Sequence, residues 1–396
     1  MRPILSIGFF GGILSLGACN WTRFDDLKDD TWVDSTKKPD VKSSDWGVAL
    51  AVASPSDADS FAGAVTVIGT GVPTYSILDY SPDGKSKLEA SISLVTAGNV
   101  ENLDSTPVML NDYAAGHSYV VGSTGPTQVA YFDINGQGVQ VFGPADASGG
   151  ATFVHEASGM HGVIVGNSTK VYSELGPDNN CDVGVTVAGL GTVASATAGD
   201  DLVVVWDSTG GLSLFPSSLY EGLNCTALGT ALATGFAMPT GVSMTPISAD
   251  SFLLQGHTAS GGGSYLGVFT VDPATNTIAQ VGQAITADGL KSATVLATSA
   301  MGTFAVAGYP AVVVDNKTAG QVLAYEITLD GTGVPTALDQ DPTMTLADAQ
   351  PDNDESFGRA VTVMPFRGEN VLVVGADNEV FSYFQSMLYS ETREGK

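Results

Sequence analysis

The side chains that could do chemistry are few, so their positions matter. There are four histidines, His117, His155, His161 and His257, and the first three fall in or beside loops of two neighbouring units of a repeat. Imidazole is the side chain suited to proton transfer near neutral pH and to metal ligation. Histidines gathered with acids at the mouth of a channel would fit a metal-dependent lactonase-like or lyase-like site. No His-x-x-x-His spacing accompanies them, however, and the preferred reading is of loop histidines on a polar surface. The chain has no Gly-x-Ser-x-Gly nucleophile elbow and no glycine-rich loop ending in Lys-Ser/Thr. It also lacks a Ser-x-Asp-x-Gly-x-Thr-Trp box.

Metal chemistry is equally thin. A Ca²⁺ loop needs oxygen ligands at alternating positions around a glycine turn. Only Asp57 and Asp59 alternate in a suitable loop, which makes them weak candidates for Ca²⁺, and no other cofactor is expected. The segments DINGQG from Asp133 and DGTG from Asp330 resemble calcium loops, but tight hairpin turns account for them better. The acidic stretch from Asp339 to Ser356 reads as a solvated loop, with a weak Ca²⁺ site there as the alternative to Asp57 and Asp59.

The three cysteines divide into one near the start and two further on. Arg2 precedes an apolar run from Ile4 to Ala18, too short to span a bilayer at about 20 residues and suited to an export signal. The run ends in Leu16-Gly17-Ala18-Cys19, which resembles the lipobox of bacterial lipoproteins. The resemblance implies cleavage before Cys19 and lipidation of that residue, so that the chain meets the membrane through it. Asn20, where an Asp is the usual inner-membrane retention signal, points to the outer membrane of the cell envelope. Cys181 and Cys225 lie 44 residues apart, close to one repeat, and each follows an Asn. In an oxidising compartment they are expected to pair as a disulfide, the alternative being two buried free thiols.

Composition sets the frame for these residues. Gly and Pro occupy 48 and 18 of 396 positions, a density that leaves little room for long helices. Fifteen Lys and Arg against 42 Asp and Glu give a net charge of −27, and loss of Arg2 with residues 1–18 takes it to −28. Such a balance excludes a nucleic-acid groove, which needs a basic stripe. Hydrophobic residues make up 43% of the chain, enough to bury a large core. Residues 19–44 read as a tether with one short strand, residues 45–390 as a single repeating body and 391–396 as a tail.

Within that body an apolar strand ending in Gly recurs, followed by a polar turn and a second, aromatic-ended strand. Its turn-entry positions are Gly69, Gly122, Gly166, Trp206, Gly256, Gly308 and Gly375, at intervals of 53, 44, 40, 50, 52 and 67. These spacings match propeller blades with inserted loops. Each unit also has a preceding apolar segment and, after turns such as Asp83-Gly84, Asn135-Gly136 and Asp330-Gly331, a fourth strand. The expected fold is all-β, a seven-bladed β-propeller of four antiparallel strands per blade. Either Thr31 to Asp34 or the C-terminal tail is expected to close the ring.

Ser356 to Phe384, SFGRAVTVMPFRGENVLVVGADNEVFSYF, resembles an FG-GAP repeat of the integrin α-subunit type, and Trp46-Gly47 is a second opening of that kind. The resemblance implies a seven-bladed propeller used for extracellular binding, often with Ca²⁺, although the calcium loops do not carry over. The function expected is a lipid-anchored, non-enzymatic envelope or surface adhesion scaffold that contacts protein or glycan partners through its loops and binds no nucleic acid. The alternatives are a propeller hydrolase or lyase with a site at the channel mouth, and an envelope-assembly factor.

Overall fold

Phe304–Tyr309, FAVAGY, is buried at every position rather than at alternate ones. A strand of this kind has neighbours against both faces, and the same holds for the described positions of Ser251–His257 and Glu369–Ala376. The computed structural model describes residues 33–37, 45–53, 63–70, 74–82, 84–93, 108–112, 117–125, 128–133, 138–142, 151–155, 161–165, 170–173, 193–198, 202–207, 211–216, 233–235, 243–248, 250–257, 263–288, 296–298, 303–348 and 355–384. Among them the protein is all-β, with no helix.

The strands form antiparallel meanders taken in chain order. The first sheet comprises Asp45–Ala53, Gly63–Thr70, Thr74–Tyr80 and Ser86–Ser93. The second comprises Val108–Asp112, His117–Gly125, Gln128–Asp133 and Gly138–Phe142. The third has Ala151–His155, His161–Val165 and Lys170–Ser173, and the fourth Val193–Ala198, Leu202–Asp207, Gly211–Pro216 and Ala233–Gly235. The fifth has Ser243–Ser248, Ser251–His257, Gly263–Asp272 and Thr277–Asp288. In the sixth, Leu296–Thr298, Phe304–Tyr309 and Gln321–Leu329 are followed by Pro335–Leu338 and Met344–Leu346, both paired with the third strand. The seventh has Ala360–Phe366, Glu369–Ala376 and Glu379–Phe384, and its outer position is taken by Val33–Lys37 from the start of the chain.

Each sheet's first strand lies against the first strand of the next, and Ala360–Phe366 lies against Asp45–Ala53. Apolar clusters fill the spaces between sheets. One joins the fourth and fifth through Trp206, Leu214, Phe252 and Phe269, and another joins the fifth and sixth through Leu253, Val268, Ala307 and Leu323. The sixth and seventh meet through Val306, Val322, Phe357 and Val374, and the seventh and first through Met364, Val373, Trp46 and Val67.

The long interval before the seventh unit has a local cause. Between the second and third strands of the sixth sheet the chain makes an extra hairpin, Val313–Val314 with Lys317–Thr318. Asp315 and Asn316, at φ of 50° and 66°, form its two-residue turn, the left-handed pair that tightly turned hairpins require.

Two sheet junctions are built alike. Trp46 and Phe357 are fully buried, each just before a first strand or at its start, and each wedges between its own sheet and the preceding one. Trp46 Nε1 donates to Ser76 Oγ at 3.1 Å, so the indole is buried with its polar atom satisfied. Phe357 stands edge-on to Phe381 and Tyr383, at ring separations of 5.3 and 6.4 Å. Tyr80 of the first sheet and Ser382 of the seventh share a buried hydroxyl hydrogen bond of 2.7 Å across the same boundary as Trp46.

Candidate active site

Every sheet is a meander, so the turns between first and second strands lie at the same end as those between third and fourth. One direct contact shows this across a junction. Arg367, in the first turn of the seventh sheet, donates from Nη1 to the carbonyl oxygen of Pro82, in the last turn of the first sheet, at 2.7 Å. This end of the assembly is called the mouth below.

Three of the four histidines come to the mouth. In the second sheet the strand register sets Asp112 directly opposite His117 at the turn. In the third sheet His155 is directly opposite His161. The two turns are neighbours, because Ala151–His155 lies against both Val108–Asp112 and His117–Gly125. The strand-end positions of Asp112, His117, His155 and His161 therefore lie at two neighbouring turns. Opposed positions of an antiparallel pair are those where two residues come nearest. His257 is placed differently, opposite Ser264 at the far end of the fifth sheet.

Reading by motif misses this arrangement because the pairs are defined by register. Asp112 and His117 are five apart and His155 and His161 six apart, spacings that fit no helical ligand pair. The usable signal is that each pair brackets one short turn of the repeat, in adjacent units. Asp57 and Asp59 belong to the equivalent connection of the first sheet and lie outside the described residues, as do Cys19, Cys181 and Cys225. Among the described residues no group of three or more His, Cys, Asp or Glu gathers to hold a metal ion.

Other acids near the mouth are engaged by their own turns. Asp330 Oδ1 accepts from Thr332 N at 2.8 Å, Thr332 Oγ1 at 2.6 Å and Val334 N at 3.0 Å. These bonds, the Thr332 hydroxyl foremost, hold its carboxyl below the usual range. Asp272 does the same with Thr275 and Ala274. At the opposite end Arg359 and Asp377 form an ion pair of 3.2 Å, partly exposed on both sides. Tyr383, in the third strand of the same sheet, is buried, and desolvation first, then the charges of Asp348, Glu355 and Glu379, push its phenol up.

Comparison with known proteins gives the fold. No family model matches the chain, and no curated protein matches it. Solved structures do. A chain of the mitotic checkpoint complex matches at 12% identity with a TM-score of 0.52, covering 88% of this chain and 93% of that one. The periplasmic gluconolactonase of Pseudomonas aeruginosa matches at 13% identity and a TM-score of 0.49, covering 73% and 84%. Virginiamycin B lyase from Staphylococcus aureus matches at 8% identity and a TM-score of 0.46, covering 89% and 98%. The fold is that of a β-propeller. The expectation of a non-enzymatic chain does not stand, since solved chains with this fold include a lactonase and a lyase and the fold by itself excludes neither class.

Proposed function

We propose that the chain is a seven-bladed propeller, closed by Val33–Lys37 and held on the bacterial envelope through Cys19, that acts as a hydrolase or lyase at its mouth. The observation that carries the reading is the placement of Asp112, His117, His155 and His161 at neighbouring turns. An imidazole with its ordinary pKa near 6.5 can take a proton at neutral pH and return it within one turnover. Applied to a cyclic ester, one histidine removes a proton from water as the oxygen attacks the carbonyl carbon. The ring C–O bond breaks, and the second histidine protonates the leaving oxygen. Applied to a substrate with an acidic C–H, the same pair removes that proton and protonates the group expelled in forming the double bond. Asp112 is the acid that the strand register sets opposite His117.

The Phe-Gly and Trp-Gly openings support a relation to FG-GAP propellers at the level of construction, since Phe357-Gly358 and Trp46-Gly47 do the same job at two junctions. The test is a turnover screen of the purified protein on lactones, esters and eliminable substrates, with and without EDTA. Turnover lost in both His155→Ala and His161→Ala, with melting temperature retained, is the expected result. Undiminished turnover in both variants overturns the assignment.

A further inference from the structure

We infer that the mouth is the face turned toward the bilayer that holds Cys19, so that the ligand taken there is one displayed at the lipid surface. The inference rests on the anchored-enzyme reading above and adds an orientation and a substrate class to it. It follows from the direction of one strand. Val33–Lys37 runs antiparallel to Glu379–Phe384, with Lys37 opposite Glu379 and Val33 opposite Tyr383. Glu379 follows the turn at Asp377 and Asn378, at the end of the seventh sheet away from the mouth. Val33 is therefore at the mouth end.

Three contacts fix what surrounds that end. The ring of Phe384 stands edge-on to Phe366 at 5.6 Å, beside the first turn of the seventh sheet. Gly84, in the last turn of the first sheet, sits against the same Phe384 ring. Arg367 bonds Pro82 between those turns. The chain thus arrives at Val33 on the rim of the mouth.

The tether is too short to make this indifferent. From Cys19 to Val33 is 14 residues, which span at most about 48 Å fully extended. Presenting the opposite face to the bilayer would send the tether back along the height of a sheet. An eight-residue strand such as Glu369–Ala376 is about 27 Å long, so the detour would consume more than half of the reach.

The wild-type chain carries its own probes, Lys85 on the mouth rim and Lys317 in the hairpin at the opposite end. The lipidated protein is bound to vesicles of phosphatidylethanolamine and phosphatidylglycerol and treated with a membrane-impermeant acylating reagent. Mass spectrometry compares its lysines with those of Cys19→Ser protein in solution. The expected result is acylation of Lys85 slowed several-fold with Lys317 unchanged. Slowing at Lys317 alone, equal rates at both, or failure of the full chain to float with vesicles overturns the inference. Turnover is not read, so an inactive protein with a protected Lys85 would sink the enzyme reading alone.

Discussion

Gly308 of the sixth sheet packs its α-carbon against Gly358 of the seventh, and Gly375 packs in the same way against Gly47 of the first. The two contacts are equivalent: the glycine ending a second strand receives the glycine of the next Phe-Gly or Trp-Gly opening. A Cβ on Gly358 would lie 2.8 Å from the Gln321 carbonyl oxygen, and one on Gly47 would lie 2.8 Å from that of Ala376. Both residues also have positive φ, 87° and 93°.

Alanine at either opening glycine should therefore cost more than left-handed backbone alone, which is roughly 1–2 kcal/mol. Gly368, at φ 86° with open space where its Cβ would be, isolates the backbone share. In denaturant titrations Gly358→Ala and Gly47→Ala should lose clearly more stability than Gly368→Ala. Equal losses would mean that the close approach of the sheets contributes nothing.

Phe357→Ala removes the wedge between the sixth and seventh sheets. A buried phenylalanine truncated to alanine costs about 3–5 kcal/mol, and this one loses two ring contacts as well. Equilibrium unfolding should show a loss within that range. A loss under about 1 kcal/mol would mean that the space refills.

Deleting residues 33–37 takes away the outer strand of the seventh sheet and the Thr36 hydroxyl contact with Ser86 of the first sheet. The melting temperature should fall. An unchanged value would show that another segment covers Glu379–Phe384.

Alkali offers a test that needs no variant. Burial pushes the phenol of Tyr265 up to about 12 and raises Tyr309, Tyr325 and Tyr383 as well. The neutral phenol is favoured in the fold, while the unfolded chain ionises near 10. The stabilisation is therefore complete below pH 10 and is lost as pH rises toward 12 and beyond. Ultraviolet titration should leave these four phenols silent at pH 10 to 11 and release them together with unfolding. Smooth ionisation of all 12 tyrosines around pH 10 would contradict the burial.

Much of the architecture was legible because a propeller repeats its grammar. The recurrent apolar strand ending in Gly maps onto second strands at Gly69, Gly256, Gly308 and Gly375, and the Asp330-Gly331 signal lies in a hairpin turn between strands. The split outer part of the sixth sheet was not legible. Pro335–Leu338 and Met344–Leu346 are too short for a period to show, and both take the same partner. At the mouth, His117, His155 and His161 were visible as loop residues, but Asp112 was not. Whether two residues face each other across a turn depends on pairing register, and a shift of one position would have separated both pairs.

Lys37 and Glu379 are opposed across the seventh sheet although 342 residues separate them. Closing a loop of that length in an otherwise unfolded chain would cost roughly 5 kcal/mol of entropy beyond a constant term, more than a five-residue strand can return. The first strand made is therefore the last to find its partner. It has to wait, unpaired, until the chain for all the other sheets has been made. From the moment the seventh sheet forms until that strand docks, the sheet presents a bare edge, which a second copy of the chain could occupy with the same residues.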